Sequence, residues 1–351
     1  MFDLSVVMAC HNRAYGLKTI LDGYEQQRGD DRFEVIAVDD ASVDDTYEFL
    51  KSYRPSRFLL RVERLEKNQG QAAARNLGVA LTSAPLILFA DDDVGPGPFL
   101  VSGHLTAHRY YPEKDLAILG HVVWAPDIPV NTLMYHIDGI GAEQFSYYYL
   151  KNEQEYDFRH FYTANVSIQK EFLLKGTIPG TDGKLFDLIF RYAYEDGELS
   201  YRLTKQGMRI KYLSLLMGHH YNYQTIWSFS TRQYRAGTNA VLLVRKHPEL
   251  QGLIMGKRWP LHLLRWRLQS RLKPCPPDTA ARLEDEYLHL ASTHEWAPHP
   301  RLDQLYITLL SYFFYKGLID GTIDDPESAR PIHNVHAYRV LSNIKTWFTG
   351  S

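Results

Sequence analysis

Cysteine is nearly absent: Cys10 and Cys275 are the only two in 351 residues, and Cys10 falls in a stretch that reads as a buried strand. A disulfide framework is therefore not the organising device, and a reducing compartment such as the cytoplasm fits. No run of about 18 uninterrupted apolar residues occurs, which argues against a membrane-spanning helix. An excess of one charge sign is missing too. The 39 Lys and Arg stand against 41 Asp and Glu, a net −2 that gives no overall pull towards nucleic acid. Gly-x-Gly-x-x-Gly is absent after the first apolar stretch, which disfavours a dinucleotide-binding dehydrogenase. There is no internal repeat and no low-complexity tract. The first strand begins so close to Met1 that no signal peptide is expected ahead of it.

Three adjacent aspartates dominate what is present. Asp91, Asp92 and Asp93 follow the apolar run Leu86-Ile87-Leu88-Phe89-Ala90 and precede the breaker-rich Gly95-Pro96-Gly97-Pro98. Adjacent carboxylates repel one another, and a strand end carrying three recovers that cost by binding a divalent cation or a donor-rich ligand. Alone, such a triplet reads as a solvated turn. Here it has company. Leu4 to Cys10 reads as a buried strand ending in His11-Asn12-Arg13, and Leu17, Ile20, Leu21 and Tyr24 follow at helical spacing. Phe33 to Val38 is a second strand with Asp39 and Asp40 at its end. Ser42 with Asp45 predicts a capping box for a helix that buries Val43, Tyr47 and Leu50. Phe58 to Val62 gives a third strand, Gln71 to Leu81 a helix facing inward through Ala73, Leu77 and Leu81, and Leu86 to Ala90 a fourth strand. This alternation predicts an α/β chain with a parallel sheet. Ligands of such sheets bind beyond the carboxyl ends of the strands, where all three polar clusters fall.

In that order, "SVVMACHNR", "VIAVDDASVDD", "NQGQAAARNLGVA" and "ILFADDDVGPGPFL" resemble the family 2 glycosyltransferases of the GT-A fold, over residues 3 to about 222. The resemblance implies a catalytic domain over 1–222 with a mixed, mainly parallel sheet flanked by helices. It divides into a nucleotide-binding half (1–98) and an acceptor half (99–222), followed by a mostly helical C-terminal extension over 223–351. It further implies inverting transfer of a sugar from a nucleotide diphosphate sugar, a UDP-sugar favoured, to a saccharide or lipid-linked saccharide, with Mn²⁺ or Mg²⁺ as cofactor. Two rival readings are a nucleotide-sugar binding protein without transferase activity and a sugar nucleotidyltransferase. The latter should carry a Gly-rich phosphate loop, which "MACHNRAYG" lacks before Gly16.

On the same resemblance each site residue has a role. Asp40 matches the aspartate that accepts a hydrogen bond from the pyrimidine base, and Asp39 either joins it or caps the following turn. Ala9, His11, Asn12, Arg13, Asn68, Gly70 and Arg75, with Asp91 and Asp92, complete the nucleotide site. Asp93 is assigned to the metal, with Asp91 and His219 as partners and His220 in reserve. Phe161 to Ile168 alternates as a half-buried strand and resembles the strand that lines the donor sugar, through Asn165. "YEDGELSYRL" matches the family's Glu-Asp block: Asp196 becomes the base that deprotonates the acceptor, Glu195 its support, and Glu198 an acceptor contact. Read without the resemblance, these carboxylates are favoured at a helix head by its dipole. On a helix predicted from Ile226 to Lys246, Arg232 and Arg235 lie one turn apart. Processive members carry Gln-x-x-Arg-Trp near here, and this chain has Arg232 and Ala236 in the Gln and Trp places, which counts against a polymer-extruding role. Arg235 could cover a diphosphate as a bidentate donor.

Past about residue 250 the resemblance fades. Lys257, Arg258, Arg265, Arg267, Arg271 and Lys273 are interleaved with Trp259, Leu261, Leu263, Leu264, Trp266 and Leu268 ahead of a Pro-rich break. Such a stretch suits an anionic membrane surface, here the inner face of the plasma membrane, and equally a helix docked on the catalytic domain. Leu302 to Ile319 is apolar on nearly all faces and reads as a buried or homodimer-forming helix.

Overall fold

The computed structural model describes residues 2–139, 144–256 and 300–323. Its chain divides into two compact units. The first takes Met1–Ile128, Phe145–Arg191 and Glu195–Tyr223, and the second takes Pro129–Gln144, Tyr192–Tyr194 and the described residues from Gln224 onwards.

The first unit is built on a nine-stranded sheet. Its strands are β1 (Leu4–Cys10), β2 (Phe33–Asp39), β3 (Leu59–Arg64), β4 (Leu86–Asp91), β5 (Val94–Pro96), β6 (Leu116–Trp124), β7 (Glu155–Tyr156), β8 (Asn165–Gln169) and β9 (Arg209–His220). They run in the order β3-β2-β1-β4-β8-β6-β9-β5, with β7 beside β9. β1, β2, β3 and β4 are mutually parallel, as are β6 and β9. β8 is antiparallel to both β4 and β6 and joins the two parallel blocks. The continuous apolar runs of β1, β2 and β4 follow from burial on both faces. Val7, Ile87 and Phe89 feed one core, and Val6, Met8, Leu88 and Ala90 feed the other. Helices α1 (Leu17–Glu25), α2 (Thr46–Ser52), α3 (Gln71–Leu81) and α4 (Leu100–Tyr110) flank the sheet. The short α6 (Lys170–Leu173) follows β8, and α7 (Glu195–Thr204) precedes β9. α1 buries Leu17, Ile20, Leu21 and Tyr24, as the spacing predicts.

The predicted capping box at Ser42 does not form. α2 starts at Thr46, Asp45 makes no capping hydrogen bond, and Val43 is 90% exposed. Ser42 is instead drawn into the turn after β2, where its N–H donates to the Asp39 carboxylate and its hydroxyl accepts the Asn12 N–H at 2.9 Å. The strand expected over Phe161 to Ile168 is confined to Asn165–Gln169.

The second unit comprises α5 (Thr132–Gly139), α8 (Ile226–Lys246), α9 (Gln251–Ile254) and α10 (Pro300–Ile323). Thr225 and Ser228 cap α8 reciprocally. α8 and α10 meet backbone to backbone. A Cβ on Gly237 would collide with the Phe314 carbonyl oxygen, and one on Gly317 with that of Tyr234. Tyr234 donates to Asp320 at 2.8 Å across the same contact, and a buried His136–Asp303 pair at 2.9 Å ties α5 to α10. The Leu302 to Ile319 segment therefore lies within α10 and packs on α8, while the homodimer it also suggested is a separate matter. The basic, tryptophan-bearing stretch 257–273 and Cys275 lie outside the described residues. Among the described residues no helix is long and apolar enough to cross a membrane.

Candidate functional site

Parallel pairing carries the three polar clusters to one edge of the sheet, with Cys10 opposite Asp39 and Ala9 opposite Asp91. At the end of β1 the chain turns sharply through Asn12, whose φ is 51°. The Asn12 side chain accepts the Val43 N–H at 2.9 Å, which fastens this turn to the one after β2. Asp40 accepts the backbone N–H groups of Gln69 and Gly70, both at 2.7 Å. That clasp needs glycine at 70, where φ is +89° and a Cβ would stand 3.2 Å from the Arg191 carbonyl oxygen. A carboxylate has about four acceptor positions, so Asp40 keeps capacity for a further donor. Asn68 lies 3.3 Å from the His11 ring. Asp39 is buried, caps the turn at Ser42 and pairs with Arg64 at 3.2 Å, which is the turn-capping alternative of the two foreseen for it.

The aspartate triplet is divided among different partners. Asp92 accepts the His11 N–H at 3.1 Å and lies 3.3 Å from Arg13 Nε. Burial, with Asp93 alongside, pushes its carboxyl up to about 7 against the pull of Arg13. Asp93 accepts from Arg13 at 3.0 Å and from Asn222 at 3.1 Å, and its other oxygen faces His220 Nε2 at 3.5 Å. Asp91 turns to Arg75, which donates to it at 2.9 Å and to Glu195 at 2.8 Å. Arg75 is only 1% exposed. Its charge in that position rests on the two carboxylates, and it bridges the end of β4 to the head of α7. Next to Glu195, Asp196 is pushed up to about 7 by burial first and the Glu195 charge second, with Arg75 pulling the other way.

Three expectations need correcting in geometry. Arg75 was placed as a nucleotide contact, yet both of its terminal nitrogens are engaged inside the protein, because α3 packs its Arg75 face against the core. Asn165 is 1% exposed. Its amide donates to the carbonyls of Leu216 and His121 and meets His104 at 2.9 Å, so it offers nothing to a sugar. Glu198 is fully buried against Arg202 at 2.9 Å, one turn along α7, and is not presented to an acceptor. The histidine beside Asp93 is His220. β9 pairs with β5 in a register that sets Val94 opposite His220 and Gly95 opposite His219. Among the described residues no three His, Cys, Asp or Glu side chains converge as a ready ligand set. Asp93 and His220 are the two donors that could share a cation. Arg232 is exposed and Arg235 stacks over Tyr192 at 4.5 Å, both within the second unit.

Several residues of the site had no motif to announce them. Asn222 reaches Asp93, and Trp124 stacks on the His220 ring at 5.0 Å and 9°. Beneath them, His104 and His108 share the Ser167 hydroxyl at 2.8 and 2.9 Å. Burial holds both neutral, at about 3 and about 4. The apolar-to-polar alternation of Asn165-Val166-Ser167 was the one available signal for this cluster.

Comparison with known proteins agrees with this architecture. Residues 5–174 match the model of the family described as Glycosyl transferase family 2. Validoxylamine A glucosyltransferase of Streptomyces hygroscopicus subsp. jinggangensis is 38% identical over 106 residues, 30% of this chain and 25% of that protein. Hyaluronan synthase of Pasteurella multocida is 26% identical over 246 residues, 62% of this chain and 24% of that one. The matches thus span about a quarter of these curated relatives' own length. The structure of S. aureus TarS 1-349 in complex with UDP superposes with a TM-score of 0.52 at 15% identity and covers 92% of both chains, a likeness of fold. The family model and these relatives thus place the likeness to glycosyl transferase family 2 in residues 5–174, and the solved structure adds a likeness of fold.

Proposed function

We propose that the protein transfers a sugar from a UDP-sugar to a hydroxyl of a saccharide or lipid-linked saccharide, with inversion at the anomeric carbon. The observation that carries this reading is the Asp91–Arg75–Glu195 bridge, which joins the strand end suited to a nucleotide diphosphate to the helix head bearing Asp196. The family-model match over residues 5–174 and the relatives named as glycosyltransferases support it, as does the UDP bound by the similar TarS fold.

In this reading Asp40, clasped by Gln69 and Gly70, faces the base, and Arg13 is the cation nearest the phosphates. Asp196 takes the proton of the acceptor hydroxyl as its oxygen bonds to the anomeric carbon. The bond from that carbon to the diphosphate oxygen breaks on the opposite face, and its electron pair leaves with UDP. A base poised near 7 is ionised often enough to act and basic enough to accept the proton. Asp93 and His220 are the residues that would hold Mn²⁺ or Mg²⁺, whose chemistry is to neutralise charge on the leaving diphosphate.

The test is calorimetric titration of UDP in Mn²⁺, in Mg²⁺ and in chelator, alongside a hydrolysis screen of UDP-sugars. We expect affinity to fall by about tenfold or more in chelator, Asp93→Asn to erase the difference, and one UDP-sugar to be turned over. Equal affinity in chelator removes the metal from the proposal. Failure to bind UDP or to turn over any UDP-sugar removes the transferase.

A further inference from the structure

An aromatic shelf lies beside the site and is used by none of the roles above. Phe145 places its ring 6.3 Å from that of His220 and 5.1 Å from that of Tyr162, and the next residue, Ser146, donates its N–H to the Tyr162 hydroxyl at 3.2 Å. Tyr147 is buried and anchored among His121, Tyr162 and Tyr212 at 4.6, 5.5 and 5.9 Å. The segment is thus pinned from below at alternate residues. Tyr148 and Tyr149 are then turned out, 50% and 44% exposed, with rings 5.1 Å apart and nearly perpendicular.

The Tyr149 hydroxyl is set from behind. It shares a hydrogen bond with Nε2 of His160, a residue only 3% exposed, whose Nδ1 faces Asp157. A chain of Asp157, His160 and Tyr149 fixes the direction of one phenol at the surface, an expensive arrangement for a residue with no further task. The residue on which the shelf packs also feels the charge of Asp196. Tyr162, against which Phe145 and Tyr147 pack, is pushed up to about 12 chiefly by burial, with the Tyr149 and Asp196 charges adding to it.

Half-exposed rings on a rigid backing, with one oriented hydroxyl, match the chemistry of a pyranose: an apolar face of C–H groups to stack on and a rim of hydroxyls to bond. We propose that Tyr148 and Tyr149 form the acceptor subsite and that its ligand is a saccharide, with its apolar face stacked on one tyrosine ring, its side closed by the other ring set across it, and a hydrogen bond to the His160-directed hydroxyl of Tyr149. This rests on the transferase reading for its purpose, though the binding it describes stands by itself.

Saturation-transfer-difference NMR with methyl glycosides of glucose, galactose and N-acetylglucosamine, on protein saturated with UDP, tests the subsite. At least one glycoside should give a signal from its ring C–H protons. Tyr148→Ala with Tyr149→Ala should weaken its binding by about tenfold or more. Tyr149→Phe should keep the stacking signal and lose affinity to a smaller degree. Leu215→Ser, at an 87% exposed residue elsewhere on the first unit, should leave binding unchanged, and melting temperatures report whether each variant is folded. Binding that survives the double substitution overturns the proposal, and so does the absence of any glycoside signal from the wild type. A chain that binds glycosides at these tyrosines yet turns over no UDP-sugar keeps the subsite and refutes the transferase reading.

Discussion

Replacing Asp196 with asparagine should make the protein inactive and more stable at once, and the two effects come from the same cause. The carboxyl is raised from its ordinary 3.8 to about 7 by burial and by Glu195. In the unfolded chain it ionises near its ordinary value, whereas the folded chain holds the proton to about 7. Between those values the native state binds more protons than the unfolded one, so wild-type stability falls as pH rises, and above about 7 the penalty is complete. At about 1.36 kcal/mol per pH unit the ceiling is roughly 4 kcal/mol. Glu195 shares the repulsion and the residue is half-buried, so about 1–2 kcal/mol is expected. Asparagine carries no such penalty, and its side-chain oxygen can still accept the Gly197 N–H that Asp196 accepts at 2.7 Å. The variant should therefore match the wild type near pH 4 and melt several degrees higher at pH 8. Donor hydrolysis or transfer should fall by two or more orders of magnitude, the size expected for a lost general base, and wild-type activity should rise with pH to a plateau above about 7. Thermal melts at pH 4, 6 and 8 with rates on the same samples decide it. Wild-type turnover by the variant would show that Asp196 is not the base, and a variant no more stable at pH 8 would refute the ionisation penalty.

Arg75→Met should cost about 3–5 kcal/mol by stranding Asp91 and Glu195 without their shared cation. It should also move the activity profile to higher pH, since Arg75 is the charge that holds Asp196 down. Unfolding curves and a pH–rate profile check both, and a profile that stays in place would disprove the link. Gly237→Leu should destabilise the α8–α10 contact by several kcal/mol or displace the helix, because the added side chain meets the Phe314 carbonyl. An unchanged melting temperature would mean that the two helices do not pack this closely.

The periodic parts of the fold were legible because burial on two faces writes itself as apolar runs, as in β1, β2 and β4, and one-sided burial as helical spacing, as in α1. The candidate site was legible as a set of positions and less so as a set of partners. Arg75 carries no mark in the sequence that its guanidinium is spent on two carboxylates, since a helix residue's reach depends on what packs over it. His219 and His220 differ only in strand register. On the other side of β9, its pairing with β6 shifts between Leu119 and His121, where Gly120 leaves room for the Asn165 amide and the Leu216 carbonyl. An irregularity at Gly120, far from either histidine in sequence, was out of reach of local pattern. The false capping box at Ser42 had the right residues in the right spacing, but the turn after β2 competed for them and won.

The reversed strand β8 has a consequence for how the chain reaches its native state. β1, β2, β3 and β4 can pair as soon as they are made, since each finds a partner within the first ninety-odd residues. The other edge of β4, Leu86 to Ala90, waits for Asn165 to Gln169. Until then an apolar strand with unpaired amides and carbonyls stands open in the middle of the future sheet, the kind of edge that recruits a strand from another chain. A nascent or truncated protein ending ahead of β8 therefore holds its hazard at the centre of the sheet, and β8, coming late and running backwards, is the closure that makes the β1–β4 block safe to expose to the cell.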